Sequence, residues 1–516
     1  MMQDNREVTK SAGLVGLLTL LSRILGYIRD MMMAWFFGAG LFSDVFIAVF
    51  RIPDFSRRLF NEGAFGVAFI PVFTRYMTRT GSEAAYEFAA ATFRFLLVLL
   101  GGAVVVGVFC APLVVYLIAP GFAGFPEKFN LAVILVKIML PYIGFIGLAA
   151  LCMGILNGVG HFAAPALVPA LLNLTMIGSM LFMAVISSDN TLRILGLSGG
   201  VILGGGLQLM SQLAVLFKKG VIILNRGPFF HPGIKEVARS MAPAVFGLSV
   251  FQINVLLDTL LASLLGEGAI SYLYYADRLI QFPLGIFAVS ISTALYPMIA
   301  RQAAHKDMAA LIDSVNHSLK LVLFVSVPSM VGLIVMREPI VALLFKRGTF
   351  DAAMTRLTAL ALLYYGIGIW SFAAVRVVVS VFYAMGDART PVKAGIVAIG
   401  MNLCLGILLM RMMSYGGLAL ATSLSSMLNL WLLADALKRK IGKLRTAAVV
   451  QSVCRSGLCA VLMGGAVHLF LPSGDMGTTL LALRVCGSIL LGFSVYTALS
   501  FVLNRATLLR AVQIMK

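Results

Sequence analysis

The stretch SAGLVGLLTLLSRILGYIRDMMMAWFFG (11–38) is apolar along most of its length, yet it contains two arginines and an aspartate. About 20 mostly apolar residues are enough for a helix to cross a bilayer. At 100° per residue, such a helix places five side chains in one sector about 120° wide: Ser22, Arg23, Gly26, Arg29 and Asp30.

The charges in this sector need an environment other than lipid. A charged side chain that faces lipid costs at least ~2.5–3.5 kcal/mol at the centre of a membrane helix. We therefore expect the sector to face a hydrated cavity or a partner. The alternative is a buried ion pair that holds helices together, although Asp30 can neutralise only one of the two arginines.

The composition of the whole chain indicates a membrane protein. Of its 516 residues 60% are hydrophobic even without the 50 glycines, and only 12% are charged. Soluble domains reach about 45–50% apolar residues with glycine included. This excludes a soluble enzyme, a disordered regulator and a fibrous protein, and it predicts an all-α polytopic membrane protein. The net charge of +19 is typical of basic cytoplasmic loops, so no nucleic-acid partner is expected.

Segmentation at charges and at Gly/Pro clusters predicts about 14 transmembrane helices. The candidate spans are 11–37, 42–76, 86–118, 127–157, 164–187, 192–217, 240–265, 270–300, 312–335, 353–385, 392–411, 416–437, 446–471 and 477–503. One set of loops is rich in Lys and Arg, as at 218–239 and 438–445, and the opposite set carries few. The positive-inside rule places the basic loops and both termini in the cytoplasm.

The chain resembles itself when it is shifted by about 227 positions. The pattern Asp30-x7-Gly38-x-Gly40-x-x-Ser43 returns at 258–271, Pro71-x3-Arg75 returns at 297–301, and Gly160-x4-Pro165 returns at 386–391. Six spans per repeat give both copies the same orientation, which predicts two parallel six-helix repeats around a central, two-lobed cavity. The predicted segments are an N-terminal lobe at 1–219, a cytoplasmic linker at 220–239, a C-terminal lobe at 240–440, and helices 13 and 14 at 441–516.

The second span is also charged. Asp44, Arg51, Asp54, Arg58 and Glu62 would share one face of an unbroken helix, with Arg57 to the side. A ladder of Asp54, Arg58 and Glu62 at i, i+4 and i+8 would satisfy itself, and we weigh it equally with a functional role. Asp44 and Arg57 have no place in that ladder, which favours a role in the cavity or gate.

In the eighth span, Arg278 would reach the cavity from the second repeat, and Asp277 is the alternative counter-ion for it. Arg23, Arg29 and Arg278 together would form an anion site, because guanidinium groups suit phosphate. The sequence contains no P-loop, no HExxH and no Ser/His/Asp cluster. We therefore expect no catalytic residue, no metal and no cofactor; coupling to an ion or to the membrane potential is compatible with this pattern.

Several long strings resemble the MurJ (MviN-type) family of lipid II flippases. They include SRILGYIRD (22–30), DVFIAVFRIPDFSRRLFNEGAFGVAFIPVFTRY (44–76), YYADRLIQFPLGI (274–286) and FYAMGDARTPVK (382–393). The resemblance implies fourteen helices in two lobes plus a final pair, and transfer of lipid II from the cytoplasmic to the periplasmic leaflet by alternating access. It also implies a bacterial cytoplasmic membrane and a role in peptidoglycan synthesis, with the cell-wall synthesis machinery as a possible partner.

The resemblance assigns roles to individual residues. It implies substrate binding by Arg23, Arg29 and Arg278 with Asp30 beside them, and a lipid-tail groove at 446–503. It also matches Asp44, Arg57 and Glu62 to charged positions on the second helix of the family. Together with the residues noted above, the predicted cavity or gate residues are Ser22, Gly26, Asp44, Arg57, Arg58, Glu62 and Asp277. Two alternatives are a flippase for another polyprenyl-diphosphate glycan and a cation-coupled exporter of the same superfamily. A third, a membrane scaffold without a ligand, would have no reason to keep charges at mid-membrane.

Overall fold

The structure is a computed structural model that describes residues 2–61, 64–221, 223, 229–442, 446–471, 477–505 and 507–509. These residues form helices and turns, with no strand among them. They divide into two compact units, unit 1 at Met1–Gly268 and unit 2 at Ala269–Lys516. The prediction of an all-α protein is confirmed.

Unit 1 is built from helices whose starts follow local sequence signals. Proline stands in the first turn of the helices that begin at residues 111, 126 and 232, where its missing N–H is not needed. Asp189 accepts a hydrogen bond from the backbone N–H of Thr191 at 2.9 Å and so caps another helix. The helices are α1 (Met2–Phe37), α2 (Leu41–Asn61), α3 (Ala64–Arg79), α4 (Ser82–Phe109), α5 (Ala111–Ile118), α6 (Pro126–Met139), α7 (Tyr142–Gly158), α8 (Ala163–Ile186), α9 (Asn190–Lys218) and α10 (Pro232–Ser263).

The core of unit 1 is aromatic. Phe69 stacks on Phe73 and on Phe88 with ring centroids 5.6 and 5.4 Å apart, which joins α3 to α4. Glycines in α7 let this helix approach the same rings, since a Cβ at Gly154 would lie 2.8 Å from the Phe69 ring. On another side of the unit α1 packs against α8, and α8 packs against α9. This arrangement fixes the charged sector of α1 against α8.

Unit 2 repeats the use of acidic caps. Asp307 and Asp351 accept hydrogen bonds from backbone N–H groups at the starts of two helices, at 3.0 and 2.8 Å. The helices are α11 (Ala269–Pro283), α12 (Val289–Ala304), α13 (Met308–Val335), α14 (Arg337–Phe345), α15 (Ala352–Gly366), α16 (Ile369–Ala384), α17 (Arg389–Met413), α18 (Tyr415–Ile441), α19 (Thr446–Phe470) and α20 (Thr478–Leu503). The last pair, α19 and α20, packs on α13, where the Tyr496 hydroxyl donates to the Phe324 carbonyl at 2.7 Å.

Ten of the described helices or continuous helix pairs are long and apolar enough to cross a membrane, and the bent pair α15–α16 would be an eleventh. The chain is therefore a multi-pass membrane protein. The predicted count of 14 is not confirmed. The three remaining predicted spans are helical as α1, as α2 with α3, and as α10. The charges on α1 and α2 that drew attention in the sequence also make these helices less apolar than the others.

The boundary between the compact units differs from the boundary of the sequence repeat. The repeat begins its second copy at 240, whereas α10 packs on α2, α3 and α5 of unit 1. Part of the predicted linker is helical as well, because α10 begins at Pro232. A sequence repeat reflects duplication of the chain, whereas a compact unit reflects packing in the folded protein, so the two divisions need not coincide. The predicted lobes stay a prediction.

The same turn closes the third paired motif of the repeat in both units. Between α7 and α8, Gly160 has φ 77° and the N–H of His161 donates to the Leu156 carbonyl at 2.8 Å. Between α16 and α17, Gly386 has φ 74° and the N–H of Asp387 donates to the carbonyl of residue 382 at 2.9 Å. A positive φ favours glycine, which explains why this residue recurs at both turns.

The two turns differ in the side chain that follows the glycine. Asp387 accepts hydrogen bonds from the N–H groups of Arg389 and Thr390 at 3.1 and 3.0 Å, which caps α17. The Lys440 ammonium lies 2.7 Å from the same carboxylate. This contact and the hydrogen bonds from Thr390 hold the pKa of the Asp387 carboxyl well below its usual range.

Candidate anion-binding site

Arg29 and Asp30 form an ion pair inside unit 1. The Asp30 Oδ1 atom accepts hydrogen bonds from Arg29 Nε at 3.0 Å and from Arg29 Nη2 at 2.7 Å. Arg29 is 7% exposed and Asp30 is 2% exposed. The guanidinium carbon also lies 5.8 Å from the centroid of the Phe50 ring on α2. The two charges are therefore paired with each other within α1, so this pair is not one that joins two helices.

Asn173 on α8 completes the surroundings of this pair. Its Oδ1 atom accepts a hydrogen bond from Arg29 Nη1 at 3.1 Å, and its Nδ2 atom donates to the Ser22 carbonyl at 3.0 Å. Gly26 leaves room for the amide, since a Cβ there would lie 3.6 Å from Asn173 Nδ2. Asn173 is absent from the predicted site residues; the signal for it was an amide within an otherwise apolar span.

The predicted sector of α1 is thus divided. Ser22, Gly26, Arg29 and Asp30 lie on the side that contacts α8, in the surroundings of one amide. Arg23 is exposed. Helical periodicity grouped all five residues, but the neighbouring helix covers only part of a sector 120° wide.

Asp44 is the next predicted residue, and it is buried at the start of α2. Its Oδ2 atom accepts from Lys128 Nζ at 2.9 Å and from the backbone N–H of Gly268 at 2.8 Å. Lys128 also lies 4.8 Å above the Phe122 ring. Asp44 has no place in the ladder of α2, as expected, and its cationic partner comes from α6.

Glu267 provides a second carboxylate at the same end of α2. It accepts a hydrogen bond from the backbone N–H of Leu41 at 2.6 Å. With Asp44 it fastens residues 267 and 268 to the start of α2, where the helix dipole favours negative charge. The Ser263 hydroxyl accepts from the N–H of Gly121 at 3.1 Å, which fastens the end of α10 to the same region.

Further along α2, one carboxylate pairs with two arginines. Asp54 contacts Arg57 Nη2 at 2.8 Å and Arg58 Nε at 3.0 Å. The expected rung between Asp54 and Arg58 is confirmed, and the expectation that Arg57 stands outside the ladder is wrong. An i+3 spacing brings Arg57 within reach of the same carboxylate. Glu62, the last rung of the predicted ladder, lies outside the described residues.

Arg278 belongs to α11 of unit 2 and is half-buried. Its Nη2 atom donates to the Tyr274 hydroxyl at 2.9 Å, and its guanidinium carbon lies 4.9 Å from the centroid of the same ring. Asp277 accepts a hydrogen bond from Gln281 Nε2 at 3.4 Å. The contacts of Arg278 with Tyr274 are a hydrogen bond and a cation–π interaction, neither of which cancels its charge.

These side chains can bind charge but offer little for bond chemistry. Arginine and asparagine side chains hold an anion through directed N–H groups, without a nucleophile or a general base. In the part of the chain that the structure describes, no group of three or more His, Cys, Asp or Glu residues is placed to hold a metal ion.

Comparisons with known proteins cover nearly the whole chain. A family model for the lipid II flippase MurJ matches residues 33–484. A probable lipid II flippase MurJ of Vibrio cholerae is 36% identical over 511 residues, which are 97% of this chain and 97% of that protein. The lipid II flippase MurJ of Burkholderia cenocepacia is 34% identical over 426 residues, 82% of each chain.

Solved structures agree with this similarity. A lipid II flippase MurJ in an inward closed conformation superimposes with a TM-score of 0.81 at 26% identity, covering 96% of this chain and 99% of that one. An inward-facing multidrug transporter of the MATE family shares the fold at 16% identity, with a TM-score of 0.69 over 82% of this chain and 96% of that one. The family model and the full-length relatives together show that this chain is a member of the MurJ family of lipid II flippases.

Proposed function

We propose that this protein transfers lipid II, the polyprenyl-diphosphate-linked precursor of peptidoglycan, from the cytoplasmic to the periplasmic leaflet of the bacterial inner membrane. The observation that carries the proposal is the similarity over 97% of the chain to a relative named for this activity. The buried arginine of α1 supplies a physical reason, because a diphosphate needs cationic partners when it leaves water.

The binding site that we propose comprises Arg23, Arg29, Asp30 and Arg278. Arg29 is held by Asp30 at 2.7 Å, so the cation does not stand alone in the apolar interior. We propose that the substrate diphosphate replaces Asp30 as the partner of Arg29. Such an exchange keeps the guanidinium paired throughout, and it requires that the buried Asp30 carboxylate gains another partner or water, because leaving a buried charge without its partner costs about 3–5 kcal/mol.

The transport cycle that we propose is alternating access between two lobes. The relative of known structure in an inward closed conformation supports one such state. Binding of the anion must favour the occluded state over the open one, since a ligand shifts an equilibrium only by its differential affinity. Each unit charge that crosses 100 mV is worth about 2.3 kcal/mol, so membrane potential is a sufficient source of bias. We further propose fourteen membrane-spanning helices and cytoplasmic termini.

The substrate tail needs an apolar path alongside the protein. We propose that α19 and α20 provide it, because many of their large apolar side chains are exposed, among them Leu483, Leu490 and Phe493. Tyr496 fastens this pair to α13 through its hydrogen bond with the Phe324 carbonyl. The polyprenyl chain would then stay in lipid while the polar head crosses between the lobes.

The proposal is tested in bacteria depleted of their own flippase. The wild-type chain, Arg29→Ala and Arg278→Ala are each supplied, and lipid II in the outer leaflet is measured with an externally added toxin that cleaves it. We expect rescue by the wild type and loss of transport in both variants when transport is normalised to the amount of each protein in the membrane. Arg193→Ala is the matched control, since Arg193 is a half-buried arginine that contacts Phe36 at 5.7 Å outside the proposed site.

Each result has a definite meaning. No rescue by a well-expressed wild type overturns lipid II as the substrate and moves the assignment to another polyprenyl-diphosphate glycan. Rescue by the wild type and equally by Arg29→Ala and Arg278→Ala overturns the arginine site but not the activity. Loss in Arg193→Ala as well would show that any arginine removed from the apolar region abolishes transport.

A further inference from the structure

The amide of Asn173 contacts Arg29 from a different helix and also holds the backbone of α1. Its oxygen accepts from Arg29 Nη1 at 3.1 Å while its nitrogen donates to the Ser22 carbonyl at 3.0 Å. The two contacts of the amide lie two turns apart on α1, and the side chain is only 7% exposed. One side chain of α8 therefore sets both the position of α1 and the direction of the guanidinium.

An amide is the suitable group for this place because it is polar but uncharged. Its oxygen satisfies a guanidinium N–H group as a carboxylate would, yet it leaves the positive charge in place. Asp30 already contributes one negative charge at 2.7 Å. A carboxylate at the position of Asn173 would add a negative charge to the cluster, and an apolar residue there would remove the amide partner of Arg29 Nη1.

We propose that Asn173 is a positioning residue of the anion site. It holds the Nη1 edge of Arg29 toward α8 without neutralising it, so that Asp30 is the competitor that the substrate anion displaces. This inference rests on the proposed function, since it assigns a role in binding the diphosphate of lipid II. It adds a residue whose neutrality, in addition to its hydrogen bonds, determines affinity.

The importance of an uncharged side chain at position 173 is tested by moving the negative charge within the cluster. Asn173→Asp keeps the size of the side chain and adds a carboxylate 3.1 Å from the guanidinium. The double variant Asp30→Asn with Asn173→Asp has the same number of carboxylates as the wild type, with one moved from α1 to α8. A role that is merely structural predicts additive damage in the double variant, whereas a role in charge balance predicts recovery.

The measurement is lipid II binding to the full-length protein, purified and reconstituted in lipid nanodiscs, with undecaprenyl monophosphate as the comparison lipid. We expect Asn173→Asp to weaken lipid II binding at least about ten-fold, which corresponds to about 1.4 kcal/mol. The double variant should recover at least half of that loss on the logarithmic scale. Asn173→Leu, which removes the hydrogen bonds without adding charge, should weaken binding less than Asn173→Asp.

Asn316→Asp is the matched control for the cost of introducing a buried carboxylate. Asn316 is 4% exposed, and its Nδ2 atom donates to the Ile312 carbonyl at 2.8 Å on a single helix of unit 2. We expect this control to lower the thermal midpoint without weakening lipid II binding in the protein that remains folded. If Asn173→Asp does not fold, the double variant Asp30→Asn with Asn173→Asp still tests charge balance, because it keeps the number of carboxylates: lipid II binding near the wild-type level supports the inference, and binding weaker than that of Asn173→Leu overturns it.

Three results would overturn the inference. Equal binding by the wild type, Asn173→Asp and Asn173→Leu would show that the amide has no part in the site. A double variant no better than Asn173→Asp alone would show that the contact is only structural. Failure of the wild type to bind lipid II would overturn the proposed function itself, and it is distinguished from the other two by the wild-type measurement.

Discussion

Arg29 and Arg278 are both arginines within apolar helices, but they differ in burial and in the side chains that contact them. Arg29 is 7% exposed and is held by a carboxylate and an amide from two helices. Arg278 is half-buried and contacts the ring and hydroxyl of Tyr274, one turn away on its own helix. The first arrangement supplies a counter-charge, and the contact with Tyr274 supplies orientation.

The difference indicates how each arginine would meet an anion. Arg29 must exchange one negative partner for another, so its gain from binding the substrate is the difference between two ion pairs. Tyr274 orients the guanidinium of Arg278, and Arg278 is only half-buried, so its removal should disturb the interior less than removal of the partner of Arg29. We expect Arg29 to dominate stability and Arg278 to dominate affinity.

The largest expected effect comes from removing the counter-charge of Arg29. Asp30→Ala leaves the guanidinium buried without its carboxylate and should lower the free energy of unfolding by about 3–5 kcal/mol. Thermal unfolding of the purified protein measures the change. The double variant Arg29→Met with Asp30→Ala should recover much of the stability but no transport, and a double variant as unstable as Asp30→Ala would contradict the importance of the pair.

Arg278→Ala should show the opposite pattern. Arg278 is half-buried, and its cation–π contact with Tyr274 is worth about 0.5–2 kcal/mol, so the thermal midpoint should fall less than in Asp30→Ala. Lipid II transport should nevertheless be lost, measured in depleted cells as described above. Arg278→Lys keeps the charge without the planar fork and serves as the control; severe unfolding of Arg278→Ala would abolish the contrast with Arg29.

A smaller effect is expected from Tyr274→Phe. This change keeps the aromatic ring 4.9 Å from the guanidinium and removes only the hydroxyl that accepts from Nη2 at 2.9 Å. The lost hydrogen bond is worth about 0.5–1.5 kcal/mol, so we expect a several-fold loss of lipid II affinity without loss of folding. Tyr274→Leu removes the ring as well and should be worse; equal affinities for the two variants would assign the ring no role.

The smallest effect concerns Asp387, which lies outside both arginine sites. Its carboxyl has a pKa below the ordinary value because Lys440 and Thr390 favour the charged form. The stability that it contributes is therefore present above the ordinary carboxyl pKa and is lost as the pH falls toward the lowered value. Asp387→Asn should cost about 1 kcal/mol or less near neutral pH and nothing at strongly acidic pH, which thermal unfolding across pH measures.

The sequence predicts which residues share one face of a helix better than it predicts which residues of other helices contact that face. The period of 3.6 residues placed Arg29 and Asp30 together, and the i+4 spacing predicted the contact between Asp54 and Arg58. The pairing of Asp44 with Lys128, 84 positions away, and of Arg29 with Asn173, 144 positions away, was not predictable. Spacing determines which residues share a face, whereas only tertiary packing determines which helix covers that face.

The predicted number of membrane spans is also recovered only in part. Eleven of the fourteen are recovered among described helices that are long and apolar enough, if the bent pair counts as one. The three others are helical as α1, as α2 with α3, and as α10, and they stay predictions as membrane spans.

The repeated turns at Gly160 and Gly386 place a parity condition on α10. If both turns face the same compartment, as parallel repeats require, the chain between them crosses the membrane an even number of times. Five crossings lie between them among the helices that are long and apolar enough: Ala163–Ile186, Asn190–Lys218, Ala269–Ala304, Met308–Val335, and the bent pair Ala352–Gly366 with Ile369–Ala384. The sixth must then be Pro232–Ser263, so a pair of glycine turns determines the topology of a helix that contains neither of them.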